Sequence, residues 1–97
     1  MRVIKKKTLI EFWTRFPDAA EALQAWHAES KAATWKSPTD IKARFASYSI
    51  LPKNRVVFNI RGNKYRLVTQ IHYNTGIMFI RFIGTHAEYD KIDAETV

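Results

Sequence analysis

At Arg55 the hydrophobic period of the chain changes from about 3.6 residues to 2, a switch that restricts the fold to helices followed by a sheet. From Thr8 to Ser47 the chain patterns as helices. Thr8-Leu9-Ile10-Glu11 has the form of a capping box, and Leu9, Phe12, Trp13 and Phe16 then recur on one helical face until Pro17 stops the segment. Asp18, with Glu21 three residues on, predicts a second start, followed by an Ala19, Leu23 and Trp26 stripe through an alanine-rich stretch that ends near Ala33. Ser37 as N-cap and Pro38 at the first helical position predict a third, short helix that points Ile41 and Phe45 inward and ends by Ser47.

After the switch, Val56, Phe58 and Ile60 alternate with Arg55, Asn59 and Arg61. Gly62-Asn63 supplies a two-residue turn, and Tyr65, Leu67, Thr69, Ile71 and Tyr73 then alternate with Arg66, Gln70 and His72. Asn74-Thr75-Gly76 turns the chain again into Ile77 to Ile83, where Met78, Ile80 and Phe82 are expected on the core face and Arg81 on the other. The parities predict an α+β fold in which amino-terminal helices pack on one face of a small antiparallel sheet, with room for a short strand at Arg2 to Ile4. The other face is expected to be open, displaying Arg55, Asn59, Arg61, Arg66, Gln70, His72 and Arg81 among Val57, Val68, Ile77, Phe79 and Ile83.

A chain of 97 residues supports one domain, since two halves would each be too small to bury a core of their own. Trp13, Trp26 and Trp35, at or beside helices, are expected in that core. With no cysteine there is neither a disulfide framework nor a thiolate metal site, and three scattered histidines do not make one, so no metal or cofactor is expected. Lys5 to Lys7 are not followed by an apolar signal segment, because Glu11 and Arg15 interrupt it, and the longest apolar run, Ile77 to Ile80, cannot span a bilayer. The expected location is the cytoplasm.

Charge is unevenly spread. Residues 31–87 carry ten Lys and Arg against Asp40 alone, whereas residues 88–97 carry Lys91 against four acids. A concentrated positive field attracts polyphosphate and gains from counterion release, so nucleic acid leads as a partner class, with a merely solvated basic surface or an acidic protein partner as the alternatives.

Arg81-Phe82-Ile83-Gly84-Thr85-His86-Ala87-Glu88-Tyr89-Asp90-Lys91 brings a histidine, a tyrosine and a lysine together just past a strand that holds an arginine. Cleaving a phosphodiester through its neighbouring 2′-OH needs a base, cations for the charge developing on the phosphate, and a proton donor for the 5′ oxygen. Arginine suits the second task because its guanidinium stays charged and forks onto two oxygens; histidine or tyrosine serves the others. The candidate catalytic residues are Arg66, Arg81, His86 and Tyr89, and the candidate RNA-binding residues are Arg55, Arg61, Lys64 and Lys91. Each also has a plainer role open to it. Arg66 and Arg81 suit solvated sheet positions, Tyr89 suits the core, and His86 suits a turn; His27 and His72 are expected at the surface.

The segments Val57-Phe58-Asn59-Ile60-Arg61-Gly62-Asn63-Lys64-Tyr65-Arg66-Leu67-Val68 and Phe79-Ile80-Arg81-Phe82-Ile83-Gly84-Thr85-His86-Ala87-Glu88-Tyr89-Asp90 resemble the HigB branch of the RelE-like toxins. The resemblance covers residues 50–93 closely and the helical half by pattern. It implies a microbial-ribonuclease-type fold, shared by RelE and ParE toxins, and a toxin that cuts messenger RNA without metal, in many relatives on the translating ribosome. It also implies a HigA-type helix-turn-helix antitoxin, in a hetero-oligomer that binds operator DNA. By the same resemblance Arg66 contacts the scissile phosphate and His86 is catalytic. The paired lysines of RelE fall on Val57 and Asn59, which leaves the general base unassigned. Two other classes stay open: a non-catalytic RNA- or ribosome-binding module, which needs the arginines but not His86, and a gyrase poison of the ParE kind, since a shared fold does not fix function.

Overall fold

In the computed structural model, which describes residues 1–97, helices precede a sheet as the change of period predicts. Strand β1 (Arg2–Ile4) leads into helix α1 (Lys6–Arg15), a 3-10 turn (Pro17–Ala19), α2 (Ala20–Ala32) and the short α3 (Pro38–Lys42). Strands β2 (Tyr48–Leu51), β3 (Arg55–Ile60), β4 (Tyr65–His72) and β5 (Ile77–Thr85) follow, and a last short helix, α4, spans His86–Tyr89. The strand order is β1-β5-β4-β3-β2, with β1 parallel to β5 and the other neighbours antiparallel. The sheet is therefore mixed rather than wholly antiparallel. No helix is long and apolar enough to cross a membrane.

The main core lies between the helices and one sheet face. Leu9, Phe12, Leu23, Trp26, Trp35 and Ile41 meet Val56, Phe58, Ile60, Tyr65, Leu67, Ile71, Met78 and Ile80, and Trp13 packs against them half-buried. This is the alternation of β3 and β4 expressed as burial.

Local chemistry departs from the sequence patterns at four places. Helix α1 starts at Lys6, with Lys5 in the left-handed region (φ 74°), so the capping box at Thr8 does not form. The β3–β4 connection is a four-residue loop closed by the Ile60–Tyr65 pair, with Arg61 (φ 53°) and Gly62 (φ 67°) both left-handed, and Arg61 leaves the sheet face for the loop. Strand β2 was not anticipated: it is only four residues long, its Ser49 and Ile50 are both exposed, and its turn into β3 uses Lys53 and Asn54 at positive φ in place of glycine. In β5, a bulge opposite Val68/Thr69 pairs Val68 with Phe82 and Thr69 with Ile80. One extra residue reverses the parity beyond it, so Ile83 joins the main core and Phe82 turns to the second face.

That second face is not open. The chain after β5 folds back over it, where Tyr89, Ile92, Ala94 and Val97 pack with Val57, Val68 and Phe82 in a smaller apolar cluster. Arg55 fastens this segment: its Nη1 donates to the carbonyls of Ala94 (3.0 Å) and Val97 (2.6 Å), and the residue is 7% exposed. The expectation of a phosphate-facing guanidinium at Arg55 is thereby corrected, because burial and two backbone acceptors occupy it. Hydrogen bonds from a charged donor contribute about 1.5–3 kcal/mol. Arg55→Gln is accordingly expected to lower the unfolding free energy in urea by about 1–3 kcal/mol and to leave the salt dependence of RNA binding unchanged. A flattened salt dependence with no loss of stability would return Arg55 to the binding surface.

Candidate active site

Where β4 begins and β5 ends, the Tyr65–Thr85 and Arg66–Gly84 pairs bring Lys64, Arg66, His86 and Tyr89 to one end of the sheet, although Arg66 does not line the groove that holds His86. Thr85 ends the strand and caps α4: its hydroxyl accepts from the Glu88 backbone N–H (3.1 Å), and the Glu88 carboxylate accepts from the Thr85 N–H (2.9 Å). The Thr85 N–H on its charged form is the largest of the causes that hold the Glu88 carboxyl below the usual range. The Thr-x-x-Glu signature of this box was present in the sequence, so His86 sits on the first turn of a helix rather than in a loop. Gly84 leaves little room beneath it: a Cβ there would lie 2.5 Å from the tip of the Phe82 ring and 3.2 Å from Glu88 Cβ, so the ring would have to shift.

The His86 backbone N–H donates to the Lys64 carbonyl (3.2 Å), and its Nδ1 lies 3.1 Å from Asp90 Oδ2, one helical turn on. The imidazole is about half exposed and stands in an open groove of about 590 Å³ that it shares with Arg15, Asp18, Lys64 and Tyr65. Arg15, the last residue of α1, was not singled out in the sequence; only its basic character at a helix end beside Phe16 hinted at it.

Asp18 organises this rim. Its carboxylate pairs with Arg61 Nη1 (2.9 Å) and with Lys64 Nζ, and accepts from the Tyr65 hydroxyl. Lys64 and then Tyr65, hydrogen-bonded to the charged form, hold the Asp18 carboxyl below its ordinary pKa, and Asp18 in turn pushes the Lys64 ammonium up. Burial raises the Tyr65 phenol, with Asp18 adding to it. Lys64 therefore stays a cation and Tyr65 a neutral phenol near pH 7, and neither is a base there. A carboxyl with a depressed folded pKa adds stability that is present above its unfolded value, about 3.9, and is lost as pH falls through the folded value. Asp18→Asn is thus expected to lower the melting temperature near neutral pH, with the gap to the unsubstituted chain closing below about pH 4. Melting curves taken across that range decide it; a gap that persists in acid would mean that the loss is one of packing.

Arg66 lies on the second face, half-buried, its guanidinium carbon 5.6 Å from the centre of the Tyr89 ring and its Nε shielded without a hydrogen-bond partner. Arg81 is not brought to the same place. It donates to Gln70 Oε1 from Nη2 (2.6 Å) and Nε (3.2 Å) and stacks 5.3 Å from the Phe79 ring. Gln70 is four residues along β4 from Arg66, or about 13 Å. Lys91 is exposed just beyond α4, and His72 packs edge-on against Phe79 at the far end of the sheet. No three His, Asp or Glu side chains converge as a metal-ligating group.

A sheet backed by amino-terminal helices, with cations and an imidazole gathered at one end, is the architecture of a small RelE-like toxin. Residues 19–92 match the HigB toxin family, described as a RelE-like toxic component of a toxin-antitoxin system. The chain is 31% identical over 97 aligned residues to the mRNA interferase toxin HigB of Escherichia coli (strain K12), an alignment covering 97% of this chain and 92% of that protein. It is equally similar to an mRNA interferase HigB of Shigella flexneri, and 27% identical over 94 residues to one of Escherichia coli O6:H1, covering 95% of this chain and 91% of that protein. The chain belongs to the HigB toxin family, as the two sequence segments implied.

Proposed function

We propose that this chain is an mRNA interferase, a toxin that inhibits translation by cutting messenger RNA, and that it needs no metal to do so. The observation that carries the reading is the groove at the end of β5, where the His86 imidazole, steadied through Nδ1 by Asp90, stands beside the cations Lys64 and Arg15. The 2′-OH attacks the adjacent phosphorus, the bond to the 5′ oxygen breaks, and a 2′,3′-cyclic phosphate and a 5′-OH form. His86, whose Nδ1 is engaged by Asp90, gives a proton to the leaving 5′ oxygen, while the 2′-OH proton passes to water at the open rim. Arg66 forks onto the phosphate oxygens, and the Tyr89 ring holds its guanidinium over the second face. Lys64, Arg61 and Lys91 line the path of the RNA backbone, and Arg81 is an outlying backbone contact rather than part of the reacting centre.

The toxin is held inactive by an antitoxin of the HigA type with a helix-turn-helix domain, in a hetero-oligomer that binds operator DNA. It acts in the cytoplasm, with the ribosome presenting the message. Purified chain incubated with naked RNA and with a translating ribosome complex, side by side and with chelator present, tests the proposal. New 5′-OH ends on the message are the expected product, earlier or more abundant on the ribosome. Absence of new ends in both, with a DNA-damage response on induction in cells, would instead support a gyrase poison.

A further inference from the structure

At the far end of the sheet from His86, β1, the end of α2 and the segment 33–36 enclose a groove of about 690 Å³. Arg2, Lys6, Lys31 and Lys36 line it together with His27 and Tyr73, and no carboxylate does. None of these four cations takes part in an ion pair, whereas Arg44, Arg61 and Lys64 are all matched to carboxylates. Two acids flank the groove without lining it: Asp40 accepts from the Lys36 backbone N–H (2.8 Å) and is close enough to act on the Tyr73 phenol, while Glu29 is paired with Arg44, and both line an adjoining depression that shares Trp35. The carbonyls of Ser30, Lys31 and Ala33, which would leave a negative end on α2, face the Met1 amino nitrogen. The remaining field is positive enough that His27, already partly buried, is pushed below its ordinary pKa further by Lys6 and Lys31. The Tyr73 hydroxyl is shielded and lacks a hydrogen-bond partner.

We propose that this groove is a second nucleic-acid backbone site, in which Lys6, Lys31, Lys36 and Arg2 grip RNA phosphates away from the cleavage centre. It rests on the reading of RNA as the substrate. β4 runs from Tyr65 at the cleavage end to the neighbourhood of Tyr73 at this one, eight residues or about 26 Å, so one RNA engages both only by crossing the molecule. Anchoring of that kind is independent of base sequence and sets how the message is presented to His86.

The test uses a 2′-O-methyl oligonucleotide of about 24 nucleotides, long enough to cross the molecule, with phosphates intact and the attacking hydroxyl blocked. Its affinity is measured against salt concentration for the unsubstituted chain, for Lys6→Gln/Lys31→Gln/Lys36→Gln, and for a charge-matched control, Lys7→Gln/Lys42→Gln/Lys53→Gln. Each phosphate contact on a single strand contributes about 0.7 to the salt slope, so the groove variant should lose about 2 from the slope and ten- to a hundredfold in affinity near 0.1 M salt. The control should lose much less. Arg2 is left in place so that each variant removes the same number of charges, all of them lysines. Equal losses in both variants would reduce the groove to general surface charge, and an unchanged slope in the groove variant would overturn the proposal while RNA cutting stands. Loss of antitoxin co-purification with an unchanged slope would assign the groove to a protein instead. An unsubstituted chain without salt-dependent binding of the oligonucleotide would overturn this inference alone, because RNA cutting is read separately from new 5′-OH ends on the ribosome-bound message.

Discussion

His86→Gln is expected to bind RNA or the ribosome nearly as well as the unsubstituted chain and to cut at least about a hundredfold more slowly in single-turnover assays. The size of the effect follows from the chemistry. A positioned proton donor contributes about 10²- to 10⁴-fold, and glutamine keeps the polarity and rough shape of imidazole while losing the transferable proton. The fold should tolerate the change, because the side chain is about half exposed and its contacts are the exposed Asp90 carboxylate and the groove. Asp90→Asn should fall between the two chains, since it keeps a hydrogen-bond acceptor for Nδ1 but removes the charge that strengthens that contact. Binding and cutting measured side by side separate catalysis from structure: the catalytic role predicts a slower cleavage step at unchanged affinity and melting temperature, whereas a purely structural loss would lower all three. Cutting at the unsubstituted rate by folded His86→Gln would move proton transfer toward Tyr89 or Lys91.

The residues that form this centre differ in how far the sequence exposed them, and the reason is physical. Arg66 was legible because β4 alternates without interruption, and parity alone puts it opposite the Tyr65, Leu67 and Ile71 face. Phe82 was not, because a bulge carries no compositional mark in Ile80-Arg81-Phe82, and one extra residue reverses every side chain after it. Arg55 shows a different limit. Its strand parity was as expected, but what covers a sheet face depends on where a later segment returns, and residues 94–97 carry no periodic signal that would announce their docking. Asp18 was placed in the sequence as a helix-start residue; it instead binds Arg61, Lys64 and Tyr65, partners more than 40 positions away that local pattern cannot reveal. The cap at Thr85 and Glu88 is the opposite case, a purely local signature that fixes how His86 enters the groove.

Arg66→Ala is expected to abolish growth arrest and to slow cutting by about a hundredfold or more, the usual cost of removing one preorganised cation from a site where charge develops. Two features of its setting sharpen that expectation. The guanidinium makes no hydrogen bond within the chain, and with Nε shielded it is the terminal Nη nitrogens that remain as donors for an incoming phosphate. The Tyr89 ring, 5.6 Å from its carbon, limits where the fork can point and adds roughly 0.5–1 kcal/mol through cation–π attraction. Removing the side chain therefore also costs some packing, and the comparison needs a variant that separates the two effects. Arg66→Lys keeps the charge and most of the stem but loses the planar fork; it should melt close to the unsubstituted chain and still cut at least about tenfold more slowly. Circular dichroism, melting temperature and growth arrest are read together for both variants. If folded Arg66→Ala arrests growth at the unsubstituted rate, Arg66 does not touch the phosphate, and the cationic role passes to Lys64 and Arg15 at the groove that His86 occupies.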